Sequence, residues 1–239
     1  MRLDPHIHTE YSIDGIEKPA RILEHVKLFS GLDAIAFTDH NRLFPRKEAE
    51  ALTRRYGVLV IPGVELGDIR SGKHIVALNL DHLDMRALLK KRDPCEIVEY
   101  ISDQGGLSIA AHPVPRGYGN FSEMGFDAVE LINGGCGRSN VRVRNPRNLP
   151  GIGCSDAHLR CHVGRAWTEV EDVCPETFDE RTGAGEIRRF TEGVIEKVRQ
   201  GLCHARGTPS SDALYLSYGL SVGKKYINKS FKALCSLVI

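Results

Sequence analysis

Histidines and carboxylates next to short apolar segments are the residues best suited to chemistry in this 239-residue chain. His6 and His8 lie two apart in one such segment, so the period of a β-strand directs both imidazoles to one face. Similar side chains recur further on, at Asp14, Asp39, His40, Glu65, His74, His112, Asp156 and His158. Imidazole nitrogen combined with carboxylate oxygen suits zinc, manganese or iron(II), whereas magnesium and calcium prefer oxygen ligands. These residue types predict a transition-metal site.

The elements that must position these residues form an α/β pattern. Apolar runs of strand length alternate with helix-period segments, which is typical of a largely parallel sheet covered by helices. Strands are predicted at residues 2–8, 33–38, 58–62, 74–80, 107–111, 128–132, 151–154 and 166–170. Helices are predicted after Pro19 and at residues 45–56, 94–102 and 186–200, with a hairpin turn at 68–73. Because the carboxyl ends of parallel barrel strands meet at one mouth, most of the histidines and acids are predicted to converge there.

Length and composition favour one main domain. Residues 1–205 are predicted to form the barrel, and residues 206–239 a short helical tail that begins near GTPSS. The hydrophobic content of 41% and the charged content of 26% are those of an ordinary globular protein. No apolar run reaches the roughly 18 residues that suggest a membrane span, so no membrane partner is expected.

The net charge and the cysteines limit the kinds of binding partner and the cellular compartment that are expected. The 32 basic residues nearly balance the 31 acidic ones, so no global field draws the protein towards long nucleic acid. Seven cysteines without a C-x-x-C pair, and a start without an apolar signal segment, indicate reduced thiols and a cytoplasmic protein. Any anionic ligand must therefore be met by local groups.

Six segments in order carry a family resemblance: HIHTEYSIDG, TDHN, PGVE, KHIVAL, AAHP and CSDAH. Together they resemble the polymerase and histidinol phosphatase family, usually called PHP, over about residues 1 to 170. The resemblance implies a distorted seven-stranded β/α barrel of TIM-like type and a metal-dependent phosphoesterase. It also implies a centre of two or three divalent ions, of zinc, manganese or iron.

The family pattern assigns ligands position by position. By resemblance, one ion is held by His6, His8, Glu65 and Asp156, a second by Glu65, His74 and His112, and a third by Asp14, His40 and His158. Glu65 then bridges the first two ions. Asp39, next to a proposed ligand, is interpreted as a partner that fixes an imidazole tautomer rather than as a ligand.

The predicted reaction is hydrolysis of a phosphate ester of a small metabolite or nucleotide. Paired ions can activate a shared water and neutralise charge as the phosphorus–oxygen bond breaks. Asp156 or His158 is the candidate that passes a proton to the leaving alkoxide. Three arginines that follow predicted strands, Arg165, Arg138 and Arg116, are candidates for binding the phosphate.

Other functions remain open on the sequence alone. PHP modules also act as exonucleases and as bacterial protein-tyrosine phosphatases, so a nuclease for short oligonucleotides is one alternative. An amidohydrolase-type metallohydrolase is another, although such enzymes commonly bridge their ions with a carboxylated lysine, and Glu65 occupies that place here. A degenerate barrel used as a scaffold would lack ligands, whereas every expected ligand position is filled.

Overall fold

The computed structural model describes residues 1–68, 73–88, 93–113, 123–135 and 148–208. The turn predicted at residues 68–73 is therefore mostly outside the described residues. Arg116, Arg138 and the tail beyond residue 208 lie outside them as well.

Nine strands are present in the described residues. They are β1 (Arg2–Ile7), β2 (Ala34–Phe37), β3 (Leu59–Asp68), β4 (Lys73–Leu78), β5 (Leu107–Ala111), β6 (Ala128–Asn133), β7 (Gly151–Cys154), β8 (Ala166–Val170) and β9 (Cys203–Gly207). They form one sheet in the order β7-β6-β5-β4-β3-β2-β1-β8-β9. The TIM-like α/β barrel predicted from the sequence is confirmed, with nine strands rather than seven.

The sheet mixes directions more than the α/β pattern predicts. Strands β1, β2 and β3 are parallel to one another, as are β5, β6 and β7. Strand β4 is antiparallel to both of its neighbours, and β8 is antiparallel to β1 and β9. The four-residue connection between β3 and β4 is too short for a crossover helix, so this pair must be antiparallel.

The sheet nearly closes on itself where β7 meets the β8–β9 pair. The Thr168 hydroxyl donates to the Gly153 carbonyl at 2.8 Å and accepts from the Gly153 amide at 3.2 Å, so one side chain satisfies both backbone groups of a strand edge. A Cβ at Gly153 would lie 2.4 Å from the Trp167 carbonyl oxygen. Glycine is required here because the backbones approach so closely.

The described ranges contain five α-helices: α1 (Pro19–His25), α2 (Arg46–Tyr56), α3 (Met85–Leu88), α4 (Pro94–Asp103) and α5 (Ala184–Arg199). A π-helical turn, Val26–Ser30, extends α1 and ends at Gly31, which has a left-handed backbone. Alternate strand residues face different layers: Leu59 and Ile61 join the inner core, while Val60 packs with α1 and α2. Both faces of β3 are thus buried, as in other sheets covered by helices, whereas His204 and Arg206 on β9 are exposed.

Two further features of the strands differ from the sequence predictions. Strand β3 continues to Asp68, so Glu65 lies inside a strand rather than at its end, because β3 leaves β2 after Pro62 and then pairs with β4. Strand β9 was not predicted, and the boundary placed at residue 205 falls within it. Within the described residues, no helix is long and apolar enough to cross a membrane.

Candidate metal centre

The first pair of imidazoles comes from β1 and the residue after it. Ile7 packs into the outer core, and the strand period therefore turns His6 and His8 to the other side. Their Nε2 atoms lie 3.1 Å apart, and both side chains are fully buried. The spacing that suggested convergence from the sequence does bring the two rings together.

The loop after β1 is folded back so that Asp14 reaches the cluster. A Cβ at Gly15 would lie 1.9 Å from the Thr9 carbonyl oxygen, so only glycine permits this approach. Asp39 secures the start of the loop, because its carboxylate accepts from the Thr9 amide at 2.7 Å and from the Thr9 hydroxyl at 2.8 Å. At the other end of the loop, Asp14 Oδ2 lies 3.2 Å from Nε2 of His40.

Glu65 is the centre of the arrangement. Its Oε1 is 2.7 Å from His74 Nδ1 and 3.0 Å from His112 Nε2. Its Oε2 is 3.4 Å from His6 Nε2, 3.2 Å from His8 Nε2 and 3.0 Å from His40 Nδ1. Five imidazoles therefore surround one buried carboxylate.

Asp156 and His112 enter the cluster from unusual backbone positions. Asp156 has φ 49° and His112 has φ 28°, both in the left-handed region that non-glycine residues seldom adopt. Asp156 Oδ1 lies 3.3 Å from His8 Nε2 and 3.5 Å from His6 Nε2. Backbone strain of this kind concentrates at functional sites, where the surroundings hold it in place.

The outer part of the cluster is formed by His8, Asp14, His40 and His158. One ligand atom from each of these four residues lies within 4.8 Å of the others. Similar groups are His6, His8 and Asp156, and His40, Glu65 and His74. The nine side chains predicted as ligands are thus brought into one connected cluster.

Buried side-chain atoms that lack a hydrogen bond show whether this cluster of potential ligands is suited to cations. Asp14 Oδ1, His40 Nδ1 and Glu65 Oε2 are buried without a hydrogen-bond partner in the described part of the chain. His40 Nδ1 and Glu65 Oε2 lie 3.0 Å apart but are not aligned for a hydrogen bond. Leaving such atoms unpaired is costly, and a coordinated cation would satisfy all of them. The residues fit divalent metal ions.

The charges of the cluster are strongly coupled. Burial alone would lower the pKa of His40, but the carboxylates of Asp14 and Glu65 raise it to about 10. Burial likewise disfavours the charged form of His112, yet the hydrogen bond with Glu65 raises its pKa to about 9. Burial would raise the pKa of Glu65, whereas the surrounding imidazoles lower it well below its usual range. The carboxylate is therefore ionised and available to a cation.

One important residue was missed in the sequence. Glu130, on β6, is fully buried and its Oε1 accepts from His6 Nδ1 at 2.7 Å. Its Oε2 accepts from the His112 amide at 2.6 Å and from Asn133 Nδ2 at 2.9 Å. Glu130 therefore fixes the His6 ring through Nδ1, the nitrogen that faces away from Glu65, and also fixes the backbone of His112.

The remaining candidates have different places. Asp39 bonds to Thr9 and to no imidazole in the described residues, so the tautomer-fixing contact proposed for it is made by Glu130 instead. Arg165 is exposed. It lies next to Gly134, the residue that follows β6, because a Cβ added to Gly134 would be 3.4 Å from the Cβ of Arg165. The structure does not describe Arg116 or Arg138.

Comparison with known proteins identifies the family. Residues 4–104 match the PHP domain, and residues 140–187 match the PHP-associated region. An uncharacterised protein of Methanocaldococcus jannaschii is 33% identical over 147 residues, which cover 56% of this chain and 82% of that protein. The chain belongs to the PHP family. This family of metal-dependent phosphoesterases implies divalent metal ions and hydrolase chemistry.

Other similarities of the PHP chain are more partial. It is 34% identical over 95 residues to a 5'-3' exoribonuclease of Haemophilus influenzae, a match that covers 38% of this chain and 34% of that enzyme. A two-domain protein of Bacteroides vulgatus, assigned a PHP-like metal-dependent phosphoesterase, has a TM-score of 0.62 at 19% identity. That match covers 87% of this chain and 65% of the neighbour. A protein of Bifidobacterium adolescentis assigned as a metal-dependent phosphoesterase has a TM-score of 0.51 at 15% identity, covering 82% and 96%. These two structures support the fold.

Proposed function

We propose that the protein hydrolyses a phosphate ester of a small metabolite or nucleotide with a metal-activated water. The proposal depends chiefly on three buried atoms, on Asp14, His40 and Glu65, that converge in one cluster and have no hydrogen-bond partner among the described residues. Burying ionisable groups in this number costs several kcal/mol for each uncompensated charge, so a purely structural role is disfavoured.

Two or three divalent ions of zinc, manganese or iron would supply Lewis acidity and lower the pKa of bound water when present. We assign His6, His8, Glu65 and Asp156 to the first ion, Glu65, His74 and His112 to the second, and Asp14, His40 and His158 to the third. The short distances from Glu65 Oε1 to His74 and His112, and from Oε2 to His6 and His8, support a bridging role for this carboxylate.

The leaving alkoxide needs a proton. We assign its transfer to Asp156 or His158, in the form of the enzyme in which that side chain does not bind an ion. His158 Nδ1 donates to the Asp156 carbonyl at 3.0 Å, so its Nε2 is directed away from that contact and lies 3.2 Å from Asp14. Both side chains are partly exposed, at 15% for His158 and 12% for Asp156, whereas His6 and Glu65 are fully buried. A group that exchanges protons with a product requires such access.

Arg165 is the described candidate for the substrate phosphate. It forms no ion pair with a carboxylate in the described residues, and guanidinium is the usual partner of phosphate. Replacing Arg165 with Ala should raise KM about tenfold and leave the metal content unchanged, because an exposed charge-assisted contact is lost. Steady-state kinetics with metal analysis of the same preparation measure both quantities. An unchanged KM would remove Arg165 from the site.

A nuclease for short oligonucleotides is the second candidate, favoured by the 34% identity to an exoribonuclease over 95 residues. The near-balance of basic and acidic residues favours short substrates over long nucleic acid. The same cluster could serve either reaction, because both break a phosphorus–oxygen bond.

A substrate screen tests these assignments. Metal-stripped protein is reloaded separately with zinc, manganese and iron, then assayed with nucleotides, sugar phosphates, a phosphotyrosine peptide, short oligonucleotides and cyclic amides. Turnover of small phosphoesters supports the main proposal, and turnover of oligonucleotides alone supports the nuclease. Turnover of cyclic amides without any phosphoester would instead establish amidohydrolase chemistry.

A further inference from the structure

Asp4 is a buried carboxylate outside the metal cluster. It lies on β1, two residues before His6, and its side chain is fully buried. Its Oδ1 accepts from the Ser155 amide at 2.9 Å, and its Oδ2 accepts from the Gly164 amide at 3.0 Å. One carboxylate therefore binds two backbone amides that are well separated in the sequence.

These two amides lie at the two ends of the loop between β7 and β8. Ser155 is the first residue after β7 and directly precedes Asp156, while Gly164 lies shortly before β8. The same loop contains His158, so it supplies two of the residues predicted as ligands. Asp4 thus closes the loop at its base, on both sides of these ligands.

The middle of the loop lies against the end of β1 as well. The His8 amide donates to the Ala157 carbonyl at 2.9 Å, and Ile7 and Ala157 form an isolated parallel bridge. Ala157 stands between Asp156 and His158 in the chain. This contact therefore brings the ligands of the loop next to the ligands that β1 supplies.

The backbone at Asp156 explains why the loop needs to be restrained. Its φ of 49° is one that a non-glycine residue keeps only where the surrounding structure fixes it. The Ser155 amide belongs to the residue directly before it, so the bond to Asp4 fixes the chain that leads into this position. In this conformation Asp156 Oδ1 lies 3.3 Å from His8 Nε2.

We propose that Asp4 is a positioning residue of the metal centre. By binding an amide at each end of the β7–β8 loop, it holds the loop so that Asp156 and His158 reach the rest of the cluster. The inference rests on the proposed function for the presence of the ions. It concerns how the loop is held, however, and this can be measured without turnover.

The proposal predicts a selective loss of metal when the loop is released. The ions assigned to Asp156 and to His158 depend on the loop, whereas the ion assigned to Glu65, His74 and His112 uses none of its residues. Releasing the loop should therefore weaken the first and third ions and spare the second. A purely structural role for the carboxylate would weaken all of them alike.

Asp4→Asn is the direct test. The amide NH₂ would face a backbone N–H donor whichever way it turned, so one end of the loop is released while the side-chain volume is kept. Calorimetric titration of the metal-stripped variant with zinc or manganese should find one ion bound as in the wild type. The remaining ions should bind about 10- to 100-fold more weakly.

Thr168→Val is the matched control. Thr168 is also fully buried, and its side chain also bonds to two backbone groups, but both belong to Gly153 on β7 rather than to the loop. Its replacement should lower the midpoint of thermal unfolding of the metal-free protein, as Asp4→Asn should. Unlike Asp4→Asn, it should keep every ion at the wild-type affinity.

A second measurement needs no variant. If the held loop favours metal binding, metal binding must in turn favour the held loop by the same factor. Amide hydrogen exchange of Ser155 and Gly164, followed by NMR, should therefore slow together by about tenfold or more when zinc is added to the wild type. The Val60 amide, which donates to the buried Thr53 hydroxyl at 2.9 Å between α2 and β3, is the reference and should slow less.

The outcomes separate this inference from the proposed function. The inference is overturned if Asp4→Asn keeps every ion at the wild-type affinity, if its losses equal those of Thr168→Val, or if the loop amides slow no more than Val60. Turnover of phosphoesters together with any of these results leaves the proposed function intact. If the selective loss and the selective slowing are found while no phosphoester is hydrolysed, the positioning role stands and the proposed function fails. If Asp4→Asn does not fold, the exchange measurement on the wild type decides.

Discussion

Two fully buried glutamates flank the ring of His6, and they differ in how their charges are satisfied. Glu130 accepts three hydrogen bonds, two on one oxygen and one on the other, and neither oxygen is left without a partner. Glu65 receives its two hydrogen bonds on Oε1, while Oε2 is buried and receives none from the residues that the structure describes. The same residue type thus occupies a closed environment on one side of His6 and an incomplete one on the other.

The difference assigns separate roles to the two acids. An ionised carboxylate in a protein interior must be compensated by hydrogen bonds or by cations, and Glu130 has the former. Burial would raise the pKa of Glu130, but His6 and His112 lower it overall, so it is ionised and can only accept. His6 Nδ1 must then donate, so in the neutral ring the Nε2 lone pair faces Glu65 and is available to a cation. We therefore propose that Glu130 orients the ring and that Glu65 shares the ion.

Replacing Glu65 with Gln is expected to have the largest effect. It removes a charge that the proposal gives to two ions, so metal content and phosphoesterase activity should fall together, the activity by more than about 100-fold. The fold should survive, because the side chain is close to isosteric. Metal analysis, kinetics and circular dichroism measure the three quantities. Full activity with normal metal stoichiometry would show that Glu65 is not a bridge.

Replacing Glu130 with Gln should have the next largest effect. The amide NH₂ would face another donor whichever way it turns, since His6 Nδ1, the His112 amide and Asn133 all donate to this residue. Metal affinity should fall about 10- to 100-fold, the usual cost of losing a partner that orients a ligand. Metal titration measures the affinity, and nitrogen NMR of His6 reports its tautomer.

Asp127→Asn is the control for that experiment. Asp127 is also a carboxylate next to β6, but it accepts from Ser108 and Arg199, outside the cluster. Its replacement should lower the thermal stability without changing metal affinity or the His6 tautomer. If Glu130→Gln behaves in the same way, Glu130 is a structural residue and the contrast with Glu65 loses its functional meaning.

The convergence of the cluster could be predicted because it depends on local rules. The strand period brings His6 and His8 to one face. Parallel strands end at the same side of the barrel, as β1 does with β2 and β5 does with β6. Glu65 was among the candidates next to predicted strands, but its bridging role was predicted only through the family resemblance. Its strand does not end there but changes partner, and pairing of this kind depends on residues distant in sequence.

Other parts of the site depended on contacts that the sequence expresses weakly. One feature of the sequence does indicate Glu130. The strand period of two places it on the same inner face as Ala128, and an acid buried there needs hydrogen-bond partners or a cation. Strand β9 has a short, mixed sequence, and it pairs with β8 at a place where the Arg206 backbone also approaches Gly153 closely. Asp39 stands next to His40 in the chain, but its carboxylate turns to Thr9. Adjacency in sequence did not fix the direction of a side chain.

Replacing Asp39 with Asn is expected to have the smallest effect and completes the comparison of the acids. The amide oxygen can still accept from the Thr9 amide, and the new NH₂ can donate to the Thr9 hydroxyl, so both contacts of the loop are retained. Metal affinity should stay within about threefold of the wild type, well short of the 10- to 100-fold loss that follows removal of an imidazole partner. Titration of the metal-stripped variant measures it. A loss as large as that of Glu130→Gln would mean that Asp39, too, controls an imidazole of the metal centre.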